Sequence, residues 1–366
     1  MLRLKSFYKE HETLFSAIRL IVFVYLFIFS LELMGASLKL FSKDFSRQLI
    51  ETTTNPFVGL FIGILATSLI QSSSSTTSIV VGMVGAGALS IDAAIPIIMG
   101  ANIGTSITNT IASLPQINRS SEFKRAFAAA TVHDFFNLLS VIVIFPLQLA
   151  TNFIGIAADL MEKSFENMGG LTFLSPVKAL TKPLISVLVD PLEHLPWILF
   201  AIALIVLFLA LKNIVSSLKV LVVSKAKNLF DKYLFKTAIR AFVVGIFLTI
   251  MVQSSSITTS LMVPLAGTGL LTLAQIFPYT IGSNIGTTFT AMLAALITGE
   301  VAAVVIAFSH LLFNICGIII WWPLKRVPIT LAEKFAEYSI KSKLVPALYV
   351  IITFFVIPIL IIFIFN

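Results

Sequence analysis

Two short runs of this sequence concentrate groups that can hold an ion: Gln71-Ser72-Ser73-Ser74-Ser75 and Gln253-Ser254-Ser255-Ser256. Each is followed by a second polar motif, Gly100-Ala101-Asn102-Ile103-Gly104-Thr105 and Gly282-Ser283-Asn284-Ile285-Gly286-Thr287. Hydroxyls and side-chain amides donate hydrogen bonds to an oxyanion, and their oxygens ligate a hard cation such as sodium. Covalent catalysis is a poorer fit. A serine nucleophile needs a base, His133 is the nominal candidate, and no acid-base set recurs in both halves. With four histidines, the single cysteine Cys316 and no Cys/His cluster, a transition-metal site is not expected.

The surroundings of these motifs are those of a bilayer protein. Hydrophobic residues make up 58% of the 366, charged ones only 11%, and the mean hydropathy is +1.02, far more apolar surface than a soluble globule needs. The net charge of +8 lies in connections between apolar runs, so it reports orientation and not nucleic-acid binding. Lys212, Lys219, Lys225, Lys227, Lys232, Lys236 and Arg240 stand against Asp231 alone, which makes that connection cytoplasmic. Asp159 to Glu193 has the opposite bias and, with Gly169 and Gly170, reads as an external loop. The basic, then apolar N-terminal segment reads as a retained membrane helix. No soluble accessory domain is expected after the apolar run Leu344 to Phe365.

The chain repeats itself. One gapless register lays Gln71 on Gln253 and Gly100 on Gly282, and it also pairs Gly63 with Gly245, Thr67 with Thr249, Gly87 with Gly269 and Pro96 with Pro278. His133-x-x-x-Asn137 matches His310-x-x-x-Asn314 after a shortening in the loop Gln116 to Glu122. Phe57 to Ile70 and Ile79 to Leu89 are too short to span, with an uncharged serine run between them, so we expect a re-entrant hairpin with its tip at Gln71 to Thr77, repeated from Ala241 to Leu271. Ile91 to Ile111 is long enough to span but interrupted at Gly100 to Gly104, which reads as a broken helix. Matching short or broken segments in two halves point to a transporter's central site. The expected fold is all-α and integral to the membrane, with two inverted-topology repeats, each holding a re-entrant hairpin and a broken transmembrane helix. The segments are 1–56 (N-terminal helix and connection), 57–157 (first repeat), 158–240 (external loop, linking helix and basic connection), 241–322 (second repeat) and 323–366 (C-terminal connection and helix).

Non-helical backbone inside a bilayer needs protein, water or a ligand as partner. The tips and breaks make Gln71, Ser72, Ser73, Ser74, Ser75, Asn102, Thr105, Ser255, Ser256 and Asn284 the candidate substrate ligands. No Lys or Arg lies in either tip, so a multiply charged anion there calls for cations that travel with it. Isolated Ser140 and Ser309 read as helix packing, and Gly85, Gly87, Gly267 and Gly269 as hairpin packing. Asp134, acidic within an apolar stretch, reads as functional, the structural reading being a pair with Arg125. Asp92 and Glu300 read as solvated boundary residues.

The runs QSSSSTTSIVVGMVGAG, AIPIIMGANIGTSITNT, FKRAFAAATVHDFFNLLSV, QSSSITTSLMVPLAGTG and YTIGSNIGTTFTAMLAAL resemble the type II sodium-dependent phosphate cotransporter family. That resemblance implies sodium-driven symport of divalent phosphate, with substrate between the two serine runs, no cofactor, and sodium as the coupling ion. It implies sodium ligands at Gln253, Ser254, Ser283, Thr287, Thr290 and Asn137, and a coupling role for Asp134, where electrogenic members carry an acid and electroneutral ones a glycine. Arg119 departs from the acid that relatives carry. The short central connection suggests a compact bacterial version, multi-pass in the inner membrane, with a homodimer allowed. The alternatives are a sodium-coupled carrier of another oxyanion or a dicarboxylate and, less favoured, an ion channel.

Overall fold

The computed structural model describes residues 12–41, 53–167, 175–218 and 235–365, and every regular element among them is helical. In chain order the α-helices are α1 (Glu12–Leu40), α2 (Pro56–Ile70), α3 (Ser73–Gly85), α4 (Ile91–Thr105), α5 (Ile107–Ser113), α6 (Ser120–Thr151), α7 (Phe153–Asn167), α8 (Ser175–Leu192), α9 (Pro196–Leu218), α10 (Ala238–Val252), α11 (Ser255–Ser260), α12 (Met262–Gly267), α13 (Leu273–Thr298), α14 (Val301–Trp321), α15 (Arg326–Ser339), α16 (Leu344–Ile351) and α17 (Ile357–Phe365), with a 3-10 turn at Leu114–Gln116 and a π-helical turn, Ile352–Val356, joining α16 to α17. Seven stretches of the described residues are long and apolar enough to cross a membrane: Thr13–Leu40, Ile91–Gln116, Ser120–Thr151, Pro196–Leu218, Leu273–Thr298, Val301–Trp321 and Leu344–Phe365. Helices α2 and α10 are apolar but shorter.

The two serine runs fold alike. Helix α2 starts at Asn55, whose side chain accepts from Phe57 N–H, and Pro56 takes the first position, where a missing N–H costs nothing. It stops at Gln71, left-handed at φ 56°, ψ 30°; Ser72 is extended and caps α3. In the second half Gln253 has φ 55°, ψ 29°, and extended Ser254 caps α11. The returning helices end on left-handed Gly87 (φ 74°) and Gly269 (φ 82°), where a side chain would be strained. One difference is local. Pro264 has no N–H for the Ser260 carbonyl, so the second returning helix is split at Leu261 into α11 and α12, whereas α3 runs on with Gly82 at the matching place.

The glycine motifs do not break their helices as expected. Helix α13 is continuous through Gly282 and Gly286, and in the first half the only interruption falls later, at Ser106 between α4 and α5. These glycines serve close approach instead. A Cβ on Gly100 would lie 1.9 Å from the Leu60 carbonyl oxygen, and one on Gly63 would lie 2.0 Å from that of Ile97. The copy repeats this, Gly282 against Phe242 at 2.2 Å and Gly245 against Tyr279 at 2.1 Å. Helices α2 and α4, and α10 and α13, therefore meet backbone to backbone, as small residues allow in membranes.

A second correction concerns the expected external loop, which is largely helical as α7 and α8; Gly169 and Gly170 lie outside the described residues, as does most of the basic connection, 219–234. Several helices are tied near their ends. Arg125 donates to the Gly267 carbonyl at 2.6 Å, Lys124 pairs with Glu337 at 2.7 Å, and Lys343 donates to Asn118 at 2.7 Å. Outside the spans, that hydrogen bond from Lys124 holds the Glu337 carboxyl below its ordinary range.

Candidate functional site

At the first tip, Ser72 Oγ accepts from the Ser75 N–H at 3.2 Å and from Ser75 Oγ at 2.9 Å. At the second, Ser254 Oγ accepts from the Ile257 N–H at 3.3 Å. The hydroxyls of Ser73, Ser74, Ser255 and Ser256 are in buried residues and make no hydrogen bond among the described residues, so their protons are uncommitted. Such groups can donate to an anion.

Other hydroxyls have their protons in use. Thr287 donates to the Ser283 carbonyl at 3.1 Å, Thr105 to that of Ala101 at 2.9 Å, and Thr290 to Gln253 Oε1 at 2.8 Å. Each then presents only lone pairs outward, which suits a cation. Ser283, Thr287 and Thr290 follow one another at helical spacing on α13, beside Gln253 and Ser254, and Ser283 Oγ is buried without a partner among the described residues. No hydrogen bond joins the first tip to the second among the described residues.

The two asparagines are drawn into a network between the halves. His133 Nε2 meets Asn284 Oδ1 at 2.7 Å, while His310 Nε2 meets Asn102 Oδ1 at 3.4 Å. Each half's histidine thus pairs with the other half's asparagine. Asn284 Nδ2 donates to Asn137 Oδ1 at 2.8 Å, Asn137 Nδ2 to the Asn102 carbonyl at 2.7 Å, and Asn314 Nδ2 to Asn102 Oδ1 at 3.3 Å. Most of the hydrogen-bonding capacity of Asn102 and Asn284 is therefore engaged by protein, not turned to a tip.

Asp134 is buried and does not pair with Arg125, whose guanidinium is committed to the Ala266 and Gly267 carbonyls. It accepts from Thr110 Oγ1 at 3.2 Å and from the Tyr349 hydroxyl at 2.8 Å, and its Oδ1 has no partner among the described residues. Asp92 and Glu300 are exposed at helix starts. Ser140 and Ser309 bond back to their own helices, and Ser140 Oγ sits 2.7 Å from where a Gly317 Cβ would stand. Asn109, Thr259 and Tyr349 were not singled out by the sequence. The available signal was that Asn109, polar in an apolar stretch, stands opposite Ala291 in the repeat register.

Duplicated hydroxyl-rich turns, set among seven helices of membrane-spanning length, define an integral membrane protein with multiple spans. The chain belongs to the Na+/Pi-cotransporter family, whose profile matches residues 26–173 and 206–320. It is 35% identical over 440 residues to sodium-dependent phosphate transport protein 2B of Pongo abelii and of Homo sapiens, covering 93% of this chain and 64% of each relative. To protein 2A of Rattus norvegicus it is 34% identical over 416 residues, covering 92% and 65%. The chain thus spans about 64% of the length of the first of these relatives. No solved structure matches it.

Proposed function

We propose that this chain is a symporter that carries inorganic phosphate into the cell with sodium, with phosphate at Ser72–Ser75 and Ser254–Ser256 and sodium at Gln253, Ser254, Ser283, Thr287 and Thr290. The observation that carries the reading is the division of hydroxyl protons: uncommitted at Ser73, Ser74, Ser255 and Ser256, committed at Thr287 and Thr290. Donor-rich and acceptor-only groups lie side by side at the second tip, as cotransport of an anion with a cation requires. Thr105 belongs by the same argument with the cation ligands. The relatives' printed names, sodium-dependent phosphate transport proteins, support both ions and a carrier in place of an enzyme.

In this reading α2–α3 and α10–α12 are re-entrant hairpins in repeats of opposite insertion, over 57–157 and 241–322. Support comes from helices of 15 residues before each turn and from matching turn conformations. Asp134, with hydroxyl donors and no basic side chain at its carboxylate among the described residues, adds a charge that a further sodium ion neutralises, with Asn137 close by in sequence on α6. The compact connection between the halves supports a bacterial inner membrane.

The test is phosphate uptake into proteoliposomes with and without an inward sodium gradient. Wild type should require sodium, Ser73→Leu and Ser255→Leu should lose uptake while remaining inserted, and Asp134→Gly should carry fewer charges per phosphate. Normal uptake by both serine variants refutes the site. Sodium-dependent uptake of labelled sulfate or a labelled dicarboxylate that excess phosphate does not reduce would reassign the substrate.

A further inference from the structure

One acceptor in the buried network has no choice of role: the Asn102 main-chain carbonyl. At the end of α4 the Ser106 N–H turns to the Ile103 carbonyl, 3.3 Å away, and Asn137 Nδ2 reaches the Asn102 oxygen at 2.7 Å in its place. A carbonyl only accepts, so Asn137 presents its nitrogen there and its oxygen to Asn284. Asn284 must then donate from Nδ2, at 2.8 Å, and turn Oδ1 toward His133 Nε2, at 2.7 Å. That ring nitrogen carries the proton. His133 Nδ1 is left bare, accepts from Asn109 Nδ2 at 3.2 Å, and Asn109 Oδ1 faces the Thr259 hydroxyl at 2.9 Å. Flipping Asn137 or Asn284 alone sets oxygen against oxygen, flipping Asn109 alone sets its oxygen against the bare Nδ1 of the neutral ring, and flipping all of them turns Asn137 Oδ1 onto the Asn102 carbonyl.

We infer that this chain of hydrogen bonds has a single sense, Thr259 to Asn109 to His133 to Asn284 to Asn137 to Asn102, and that it makes His133 a positioning residue coupling the second tip to helix α4 of the first half. The Thr259 hydroxyl has one proton and two acceptors within reach, Asn109 Oδ1 at 2.9 Å and the Ser255 carbonyl at 2.7 Å. The sense of the chain assigns that proton to Asn109. Ser255 opens the second tip helix, so a shift of Ser255 changes the competition for the Thr259 proton, and the amides downstream carry the change to Asn102. The coupling rests on the proposed function for what occupies the tip; the sense of the chain does not.

Two measurements keep these apart. In the full-length protein in lipid bilayers with 15N-labelled histidine, the His133 signals, identified by their loss in His133→Gln, should be those of a neutral ring protonated at Nε2. A ring protonated at Nδ1, or a doubly protonated one, overturns the inference whatever the protein transports. In proteoliposomes, Thr259→Val should raise the sodium concentration for half-maximal phosphate uptake about tenfold, the scale of one buried hydrogen bond left unmade, with maximal uptake little changed. Thr259→Ser and His133→Gln, which keep a donor or a donor and acceptor pair, should stay near wild type. An unchanged sodium requirement in both Thr259→Val and His133→Leu refutes the coupling. Absence of sodium-dependent phosphate uptake by wild type refutes the functional reading and leaves the ring signals to decide the chain's sense.

Discussion

The two serine turns have the same backbone and different wiring. Gln71 and Gln253 differ by one degree in φ and in ψ, and Ser72 and Ser254 cap the helices that follow in the same way. Yet Gln253 holds Thr290, while Gln71 is exposed and Thr108, the repeat counterpart of Thr290, has a hydroxyl without a partner among the described residues. Thr249 meets Thr258 at 2.9 Å and Thr259 reaches Asn109, whereas the hydroxyls of Thr67 and Thr77 are buried without partners among the described residues. Part of this follows from one substitution. Asn109 has Ala291 as its repeat counterpart, so the acceptor that serves Thr259 has no copy to serve Thr77. Duplication preserved the turn, because the turn depends on local capping chemistry; the polar contacts diverged one residue at a time.

The largest test of this shared scaffold is steric. Gly100→Val and Gly282→Val should each cost about 3 kcal/mol or more and lower the yield of folded protein, because the added carbon meets a backbone oxygen that cannot move aside. Gly35→Ala, inside α1 with open space around it, should not lower the thermal midpoint. A mild effect of either valine would break the claim that both halves rest on backbone contact.

Next in size is the asparagine pair, where the halves should part. Asn284→Leu removes bonds of 2.7 and 2.8 Å and should destabilise by about 2 kcal/mol, against about 1 kcal/mol for Asn102→Leu, whose cross-half bonds are 3.3 and 3.4 Å. Unfolding midpoints in one detergent check the order, and equal losses would mean the network is symmetric.

The smallest effect concerns the latch at the second tip. A double-mutant cycle of Gln253→Leu with Thr290→Val should give a coupling of about 0.6 kcal/mol, the average for such bonds between membrane helices, and Gln71→Leu with Thr108→Val should give none. Coupling in both would show that the difference between the tips is not built into the fold.

Much of the scaffold was legible in the residues. Gln-Ser-Ser-Ser in a stretch too short to span marks a turn between two short helices, and the repeat register fixes the second copy from the first; the turn itself is shorter than expected, Gln71 and Ser72 alone, because the Ser72 cap starts the next helix at Ser73. The glycine motifs misled because a glycine with polar neighbours reads equally well as an unwound helix or as a place where another helix must come close. Only the position of the Leu60 and Phe242 carbonyls decides between them. The exchange of His133 and His310 between halves was invisible for a related reason. Spacing along a helix shows which residues share a face, but not which half that face meets.

The glycine contacts also set an order of assembly. Helices α2 and α10 have 15 residues each, a rise of about 22 Å, short of the roughly 30 Å of hydrocarbon that a lone helix must cross. The backbone that Gly63 and Gly245 lie against belongs to α4 and α13, which leave the ribosome later. Neither short helix can settle on its own as it is synthesised. Each must wait, turn and serines together, until the longer helix behind it arrives to provide its seat.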